Sequence, residues 1–388
     1  MIIKSNKENK KPKIIRACTV SLSVGFVSGM LDDLKRQYDV VLLSSPGKEL
    51  DDAVAEHGVN AIAVPMQRHI SIRHDIVSLC RIVRAFLREK PTMVHSMTPK
   101  AGLLCMVAAW ICRVPVRIHT FTGLVFPTAT GLKRKLLMMT DAITCWCATH
   151  VVPEGVGVMK DLKDNGITRM PMRVLGHGNV KGIDTLCFSR RKEVMDLVTQ
   201  IRKDGVFTFL FVGRIVGDKG INELVNAFVR LQTGSDIPMR LLLVGFFEDN
   251  LDPVSEDTRR KIEECSQIEY VGVQSGDSLI AYYVASDCFV FPSYREGFPN
   301  TVIEAGAMDL PCIVTDINGS REIVENGKNG IVVPVRDEQS LYDAMFMMLT
   351  DGHLRSSMSS CAREMIVSRY EQGYVRQCLY DFYKEILH

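Results

Sequence analysis

A buried strand, a loop and the start of a helix are predicted within one stretch, Phe289-Val-Phe-Pro-Ser-Tyr-Arg-Glu-Gly-Phe-Pro-Asn-Thr-Val-Ile-Glu304. Its apolar beginning, Cys288–Phe291, predicts a buried strand, and the helix Pro299–Asp309 follows, starting with a proline that needs no N–H partner. A helix that starts beyond a parallel strand offers backbone N–H groups and its dipole to an anion. Two carboxylates, Glu296 and Glu304, flank this point. They suit a polyol whose hydroxyls donate hydrogen bonds, although a solvated loop glutamate and an ordinary helix glutamate would give the same pattern.

Outward from this stretch, strand-length apolar runs alternate with helical segments along the whole chain. In the second half, the predicted strands are Phe207–Val212, Arg240–Val244, Glu269–Val271, Cys288–Phe291, Cys312–Thr315 and Gly330–Val333. In the first half, they are Ile14–Val20, Val40–Leu43, Ala61–Val64, Met93–His95, Val116–His119, His150–Val152 and Arg173–Leu175. Such alternation predicts α/β domains in which helices cover both faces of a parallel sheet.

The domain boundary is predicted from glycine and from length. A chain of 388 residues is longer than one core usually serves, and Gly176-His-Gly-Asn-Val-Lys-Gly-Ile-Asp184 has three glycines and no apolar period. We therefore expect a flexible tail (1–13), one doubly wound domain (14–183), a second (184–370) and a final helix (371–388). Ligands of such sheets bind beyond the carboxyl ends of the strands, so the expected site is a cleft between facing domains.

Composition narrows the class of protein. The chain is 46% hydrophobic and 24% charged, with a net charge of +2, which argues against a dedicated nucleic-acid binder. Its 12 cysteines have no regular framework and indicate a reducing compartment, and Cys145-Trp-Cys147 is interpreted as core packing. Met1–Lys13 is polar rather than a signal peptide, and the apolar segment Ala101–Cys112 is shorter than the roughly 20 residues of a membrane span. A cytoplasmic protein is expected.

A second set of charges lies on a glycine-rich turn between a strand and a helix. Gly213-Arg214 and Lys219-Gly220 could hold a diphosphate between two cations, each charge-assisted hydrogen bond contributing about 1.5–3 kcal/mol. The turn is neither a P-loop nor a dinucleotide fingerprint. Two basic residues facing solvent would explain the same turn equally well.

Other motifs in the sequence give weaker or ambiguous indications of function. Gly155-Val-Gly-Val-Met-Lys160 resembles a dinucleotide fingerprint, but Lys160 stands where a glycine should allow close packing, so NAD is rejected. No Asp-x-Asp and no His/Asp cluster at ligand spacing indicates a metal. The helix Leu132–Thr140 combines Lys133-Arg-Lys135 with apolar residues, which fits either an anionic membrane surface or a core helix with a basic exposed face.

Three histidines are placed near predicted ligand positions. His119 ends a predicted strand, on the edge of the sheet where ligands bind. His95 also ends a strand, and a buried, hydrogen-bonded histidine is the favoured interpretation there. His177 lies in the predicted hinge.

Taken together, these motifs resemble a known family. Glu296-Gly-Phe-Pro-Asn-Thr-Val-Ile-Glu304-Ala, with Arg214 and Lys219, is similar to the nucleotide-sugar site of the retaining GT-B glycosyltransferases of family 4. In the first half, Val94-His-Ser-Met-Thr-Pro-Lys-Ala-Gly-Leu-Leu and Val116-Arg-Ile-His-Thr-Phe-Thr-Gly resemble the branch that builds bacterial capsular and O-antigen polysaccharides on a polyprenyl-diphosphate carrier. The resemblance covers roughly residues 14–370.

The resemblance implies roles for the matching positions. Arg214 and Lys219 would hold the donor diphosphate and offset charge on the leaving nucleotide. Glu304 would hold the ribose, and Glu296 would hold hydroxyls of the transferred sugar. Backbone N–H groups would contact the donor around Gly297, Phe298, Asn300 and Thr301.

On the first domain, the resemblance makes His119 an active-site histidine near the donor sugar. Gly25 lies where the family keeps a glycine-rich loop on the acceptor side, but Ser23-Val-Gly-Phe lacks the usual double glycine. The family's final helix returns to the first domain, so Glu371–Leu387 is expected to do so.

The implied activity is retaining transfer of a hexose or N-acetylhexosamine from a nucleotide-diphosphate sugar, preferably a UDP sugar. The acceptor would be a polyprenyl-diphosphate-linked saccharide at the inner face of the plasma membrane, where the protein would be peripheral. No metal or other cofactor is implied, because the nucleotide sugar is a substrate. Two alternatives stay open: a nucleotide-sugar 2-epimerase, and a catalytically silent subunit that binds nucleotide sugar.

Overall fold

The computed structural model describes residues 11–67, 71–249 and 252–387. Most of the predicted tail, 1–13, lies outside these ranges, and its last residue, Lys13, already belongs to the first strand. The described chain forms two compact units. The first contains residues 11–154, 158–175 and 376–387, and the second contains Gly155–Gly157 and Gly176–Val375.

The first unit is built on a six-stranded parallel sheet in the order β3-β2-β1-β4-β5-β6. The chain adds strands outward on one side of β1 and then crosses to β4, so β1 and β4 form the point where the order reverses. The strands are β1 (Lys13–Ala17), β2 (Asp39–Ser44), β3 (Asn60–Ala63), β4 (Met93–Met97), β5 (Val116–Phe121) and β6 (His150–Pro153).

Helices follow these strands in the first part of the chain. The helix after β4 is buried along most of its length, which explains its apolar sequence, whereas the helix after β3 buries one face only. The helices are α1 (Leu31–Gln37), α2 (Lys48–His57), α3 (Ile72–Glu89), α4 (Pro99–Ile111), α5 (Gly131–Cys147) and α6 (Val156–Asp164).

The second unit repeats this plan with a six-stranded parallel sheet in the order β12-β11-β10-β7-β8-β9. Its strands are β7 (Phe207–Val212), β8 (Met239–Val244), β9 (Ile268–Gly272), β10 (Cys288–Phe291), β11 (Cys312–Thr315) and β12 (Gly330–Val333). The later helices are α7 (Lys192–Ile201), α8 (Ile221–Thr233), α9 (Glu256–Glu264), α10 (Gly276–Val284), α11 (Asn300–Ala307), α12 (Ser320–Ile323), α13 (Glu338–Thr350), α14 (Gly352–Tyr370) and α15 (Gln372–Leu387). The predicted pair of doubly wound parallel sheets is therefore confirmed.

Several details differ from the sequence predictions. The first strand, predicted as Ile14–Val20, ends at Ala17. Arg173–Leu175 is not a strand; beside it the chain makes an isolated parallel bridge between Val151 and Met172. Strand β5 continues to Phe121, two residues beyond its predicted end, so His119 lies inside the strand.

The residues predicted to end the first domain, 176–183, are grouped with the second unit. Two contacts explain why. The Asn179 side chain donates to the side chain of Asn300 at 2.9 Å, and Ile183 forms an isolated bridge with Glu371. The glycine-rich segment is thus anchored to the second unit rather than loose.

The last helix returns to the first unit, as the resemblance implies, since residues 376–387 are grouped with it. Tyr383 on this helix is fully buried. Its hydroxyl accepts a hydrogen bond from Arg16 on β1 and lies 2.5 Å from Nδ1 of His95 on β4. The helix is therefore part of the core of the first unit.

We expect Gly220→Ala to destabilise the second unit more than Gly272→Ala does. Both glycines have φ near +70° (70° and 73°), so an added Cβ costs each of them about 1–2 kcal/mol. At Gly220 the Cβ would also overlap the carbonyl oxygen of Pro292, whereas at Gly272 nothing lies within 4 Å. Urea unfolding followed by circular dichroism should give a lower midpoint for Gly220→Ala; equal midpoints would contradict the close approach.

Candidate donor site in the second unit

The loops that follow β7 and β10 lie against each other. These strands are neighbours where the sheet order reverses, and their carboxyl ends are where doubly wound sheets bind ligands. The backbone N–H of Tyr294 donates to the carbonyl of Asp218 at 2.8 Å. The turn that carries the predicted cations and the loop that carries Glu296 are thereby joined.

Lys219 and Glu296 form an ion pair across these two loops. Both side chains are largely buried, with exposed fractions of 13% and 17%. The Lys219 ammonium also lies 5.1 Å from the centre of the Phe291 ring, and Ser293 Oγ donates to the same Glu296 oxygen at 2.8 Å. The two residues predicted from separate motifs thus form one preorganised group.

Arg214 is paired as well, but with a carboxylate that the sequence did not indicate. Its guanidinium donates to Glu248, four residues beyond the end of β8. The Arg214 side chain is 36% exposed and that of Glu248 is 19% exposed. A third pair, Arg295 with Asp218 at 2.9 Å, lies on the same loops. Each of these three cations therefore has a carboxylate partner.

The start of α11 is the predicted anion-binding position. The helix begins at Asn300, and Pro299 is its N-cap, so the prediction that Pro299 is the first helical residue was wrong by one position. Phe298 is buried against the Tyr370 ring, at 5.4 Å between centroids. Since its side chain is held in the core, the backbone N–H groups of Gly297, Phe298, Asn300 and Thr301 are carried on a fixed loop and helix start.

A glycine from another loop supports this helix start. Gly319 adopts φ 72°, and a Cβ there would overlap the carbonyl oxygen of Gly297 and come within 2.7 Å of the Phe298 Cα. Only glycine allows the loop after β11 to approach so closely. The sequence analysis did not identify Gly319 as part of the site.

Glu304 is half-buried in α11, one turn beyond the helix start. The Tyr283 hydroxyl donates to its Oε2 at 3.0 Å. Burial raises the pKa of Glu304, and the nearby charge of Lys181 opposes that effect. A half-buried carboxylate with one oxygen already bonded is suited to accept hydrogen bonds from neutral hydroxyls.

In the first unit, His119 is enclosed rather than open. It is 1% exposed, its Nδ1 lies 2.9 Å from Ser96 Oγ, and its ring packs edge-on against Phe121 at 4.4 Å. A Cβ on Gly102 would overlap the imidazole, so α4 needs glycine there. Burial lowers the pKa of His119 to about 3, and the ring is neutral near pH 7.

The other first-unit positions are simpler. His95 is 2% exposed, and its Nε2 lies 2.7 Å from Thr120 Oγ1, so the buried, hydrogen-bonded interpretation is confirmed. Gly25 lies in a short 3₁₀ segment, Ser21–Phe26, is exposed, and has nothing within 4 Å of a Cβ built on it. Packing within the described residues therefore does not require glycine at position 25.

The rejected fingerprint Gly155-x-Gly157 binds a carboxylate of the chain itself. The N–H groups of Val156 and Gly157 donate to the Glu322 carboxylate at 2.7 and 3.0 Å. A Cβ on Gly155 would come within 2.8 Å of that carboxylate. The two glycines thus have a packing reason that does not involve a dinucleotide.

Sequence reasoning missed Glu248, Asp218 and Tyr283, which partner Arg214, Arg295 and Glu304. Glu248 and Asp218 both follow the carboxyl ends of strands, but no local pattern shows which cation each of them pairs with. Within the three described ranges, no group of three or more His, Cys, Asp or Glu side chains is placed to hold a metal ion.

Glycosyltransferase family models match both halves of the chain. The family model described as "Glycosyl transferases group 1" matches residues 198–365, and "Glycosyl transferase 4-like domain" matches residues 26–178. The chain is 30% identical over 393 residues to the capsular polysaccharide biosynthesis glycosyltransferase CapM of Staphylococcus aureus, covering 97% of this chain and 98% of that protein. It is 26% identical over 341 residues to the UDP-Gal:alpha-D-GlcNAc-diphosphoundecaprenol alpha-1,3-galactosyltransferase of Escherichia coli, covering 86% of each.

Among solved structures, Anabaena HepE in complex with UDP and glucose superimposes with a TM-score of 0.80 at 15% identity, covering 96% of this chain and 100% of that one. The two parallel six-stranded sheets with flanking helices therefore have the GT-B fold of that structure. The chain belongs to the glycosyl transferases group 1 family, with a glycosyl transferase 4-like domain in its first half. It is therefore a glycosyltransferase.

We expect His119→Asn to remove a pH-dependent loss of stability. Above pH 6.5 the histidine is neutral in both the folded and the unfolded chain. Below pH 6.5, this histidine binds a proton in the unfolded chain, whereas in the folded chain it stays neutral down to about pH 3. The wild type should therefore lose about 1.4 kcal/mol relative to the variant for each pH unit below 6.5.

Urea unfolding of both proteins from pH 7 to pH 5 measures this difference. Exposed His353, on α14, provides the control substitution His353→Asn. A wild type and a His119→Asn variant with parallel pH profiles would contradict the burial argument.

Proposed function

We propose that this glycosyltransferase moves a hexose or N-acetylhexosamine from a UDP sugar to a polyprenyl-diphosphate-linked saccharide, with retention of configuration, in the synthesis of a capsular or O-antigen polysaccharide. The reaction takes place at the cytoplasmic face of the membrane and uses no metal. One observation carries the proposal. Two motifs from distant parts of the sequence meet in a single ion pair, Lys219 with Glu296, at the strand ends of the second unit.

The donor half of the proposal rests on charge and hydrogen-bonding type. Arg214 and Lys219 are the cations that take the diphosphate, with the N–H groups at the start of α11 on the same loops. Glu304 accepts the ribose hydroxyls, and Glu296 accepts hydroxyls of the transferred sugar. UDP is favoured as the nucleotide because the Escherichia coli relative, similar over 86% of this chain, is named for UDP-Gal.

The acceptor half rests on the relatives. One is named for capsular polysaccharide biosynthesis, and the other is named for a diphosphoundecaprenol-linked acceptor. Such an acceptor is anchored in a bilayer, so the enzyme works as a peripheral protein there. No described helix is long and apolar enough to cross a membrane. His119 and Gly25 are proposed to lie near the donor sugar and the acceptor, respectively.

In the proposed reaction, the bond between the anomeric carbon and the diphosphate oxygen breaks while the acceptor hydroxyl attacks from the same face. The leaving diphosphate takes the proton of that hydroxyl. Arg214 and Lys219 offset the negative charge that grows on the diphosphate, in a partly buried environment where such contacts are strong. To do so, both cations exchange their carboxylate partners for phosphate oxygens.

A donor panel tests the proposal. The protein is incubated with UDP sugars, a short-chain polyprenyl-diphosphate monosaccharide and no added metal, and both UDP release and the disaccharide product are measured. We expect transfer from one donor with an α-linked product, and a roughly hundredfold loss of kcat/KM in Arg214→Ala. The control is Arg230→Ala, which removes an exposed cation on α8. Absence of product with every donor, or sugar conversion without acceptor, would contradict the proposal.

We expect Glu248→Gln to bind UDP more tightly than the wild type does. In the free protein Glu248 holds Arg214, and a diphosphate has to displace it. Removing one partner of a partly exposed pair should improve the dissociation constant roughly threefold to tenfold. Isothermal titration calorimetry measures this effect.

The matched control is Glu264→Gln, which makes the same charge change on α9 of the same unit. Tighter binding in both variants would assign the effect to net charge. Weaker binding in Glu248→Gln would mean that Glu248 orients Arg214 for the donor instead of competing with it.

A further inference from the structure

Helix α5 (Gly131–Cys147) of the first unit exposes a continuous apolar stripe. Its members are spaced by four, three, four and three residues, which places them on one face of the helix. The exposed fractions of these side chains range from 37% to 84%. The residues are Leu132 (84%), Leu136 (38%), Met139 (53%), Ile143 (37%) and Trp146 (66%). We refer to these five residues as the α5 stripe.

The opposite face of α5 accounts for its packing. Cys145 and Cys147 are buried in the core of the first unit, and Leu137, Met138 and Ala142 pack partly buried against that core. Packing against the core of the first unit therefore explains the apolar residues on one face of this helix. It does not explain the exposed apolar residues of the α5 stripe.

Two tryptophans end the stripe together. Trp146 lies against Trp110, the penultimate residue of α4, with 5.1 Å between ring centres. They are 66% and 47% exposed, and Ile111 beside Trp110 is 49% exposed. Tryptophan combines a large apolar ring with one N–H donor, which favours the boundary between water and hydrocarbon.

The charges beside the stripe are mostly positive. Lys133, Lys135 and Arg113 are exposed. Arg134 points elsewhere, donating to Asn165 at 2.7 Å. The acidic residue of α5 is Asp141, and burial raises its pKa to about 7.

We propose that the α5 stripe and Trp110 dock the protein on an anionic phospholipid bilayer, with α5 lying in the plane of the interface. An apolar face flanked by lysine and ended by tryptophan matches the acyl boundary below and the anionic headgroups beside it. This inference rests on the proposed function only for its purpose, which is to bring the first unit to a lipid-anchored acceptor.

The test uses the protein's own fluorescence. The chain contains 2 tryptophans, and both lie in the proposed contact, so an emission change reports on this surface alone. The protein is titrated with vesicles of phosphatidylcholine containing about 30% phosphatidylglycerol, an anionic lipid that attracts exposed lysine and arginine, with and without brominated acyl chains. We expect a blue shift, quenching by the brominated lipid, and much weaker binding to pure phosphatidylcholine.

Substitutions of two exposed leucines provide a test variant and its control. Leu132→Glu, on the stripe, should weaken vesicle binding roughly tenfold or more. Leu186→Glu, at an equally exposed position (83% against 84%) in the second unit, should leave it unchanged. Unshifted tryptophan emission on anionic vesicles, or equal effects of the two variants, would overturn the proposal. So would a dimer in sedimentation equilibrium that shields the tryptophans without lipid, since a second copy would then cover the stripe.

The inference and the proposed function fail in different ways. Leu132→Glu should retain transfer to a water-soluble, short-chain acceptor while losing transfer to an acceptor in vesicles. If wild-type protein binds vesicles as expected but transfers sugar to neither acceptor, the proposed function fails and the docking surface stands. If transfer proceeds equally in both settings for both variants, the docking surface fails and the function stands.

Discussion

The ion pair between Lys219 and Glu296 is the interaction on which the arrangement of the strand-end loops in the second unit depends. It joins the loop after β7 to the loop after β10, and both side chains are largely buried. A buried pair of this kind is costly to break by removing one partner, because the other charge is left without compensation. The pair therefore holds two loops, and with them the start of α11, in one arrangement before any ligand arrives.

The same logic applies to the neighbouring charges. Arg214 with Glu248 and Arg295 with Asp218 balance the remaining cations locally. The free site is close to neutral, although it is built from several charged groups. In the proposed reaction, the diphosphate replaces Glu248 on Arg214 and Glu296 on Lys219, so that donor binding requires these two carboxylates to rearrange.

Much of this arrangement could be predicted from the sequence, for a physical reason. Strands buried on both faces are apolar runs, so the twelve strands of the two sheets could be located, and the order of motifs placed Arg214, Lys219 and Glu296 at strand ends. Arg173–Leu175 was wrongly predicted because a short apolar run does not show whether it finds a neighbour. The Glu248 contact and the anchoring of Asn179 on Asn300 depend on loops far apart in sequence, and local patterns do not encode them. The roles of His119 and Gly25 stay predictions.

We propose that the loops after β7 and β10 bind the diphosphate of a nucleotide sugar. A crystal structure of the protein with UDP would examine this directly. The diphosphate should lie against Arg214 and Lys219 at the start of α11, with Glu304 on the ribose and with the Arg214–Glu248 and Lys219–Glu296 pairs broken. UDP bound elsewhere, or bound with both ion pairs intact, would contradict it.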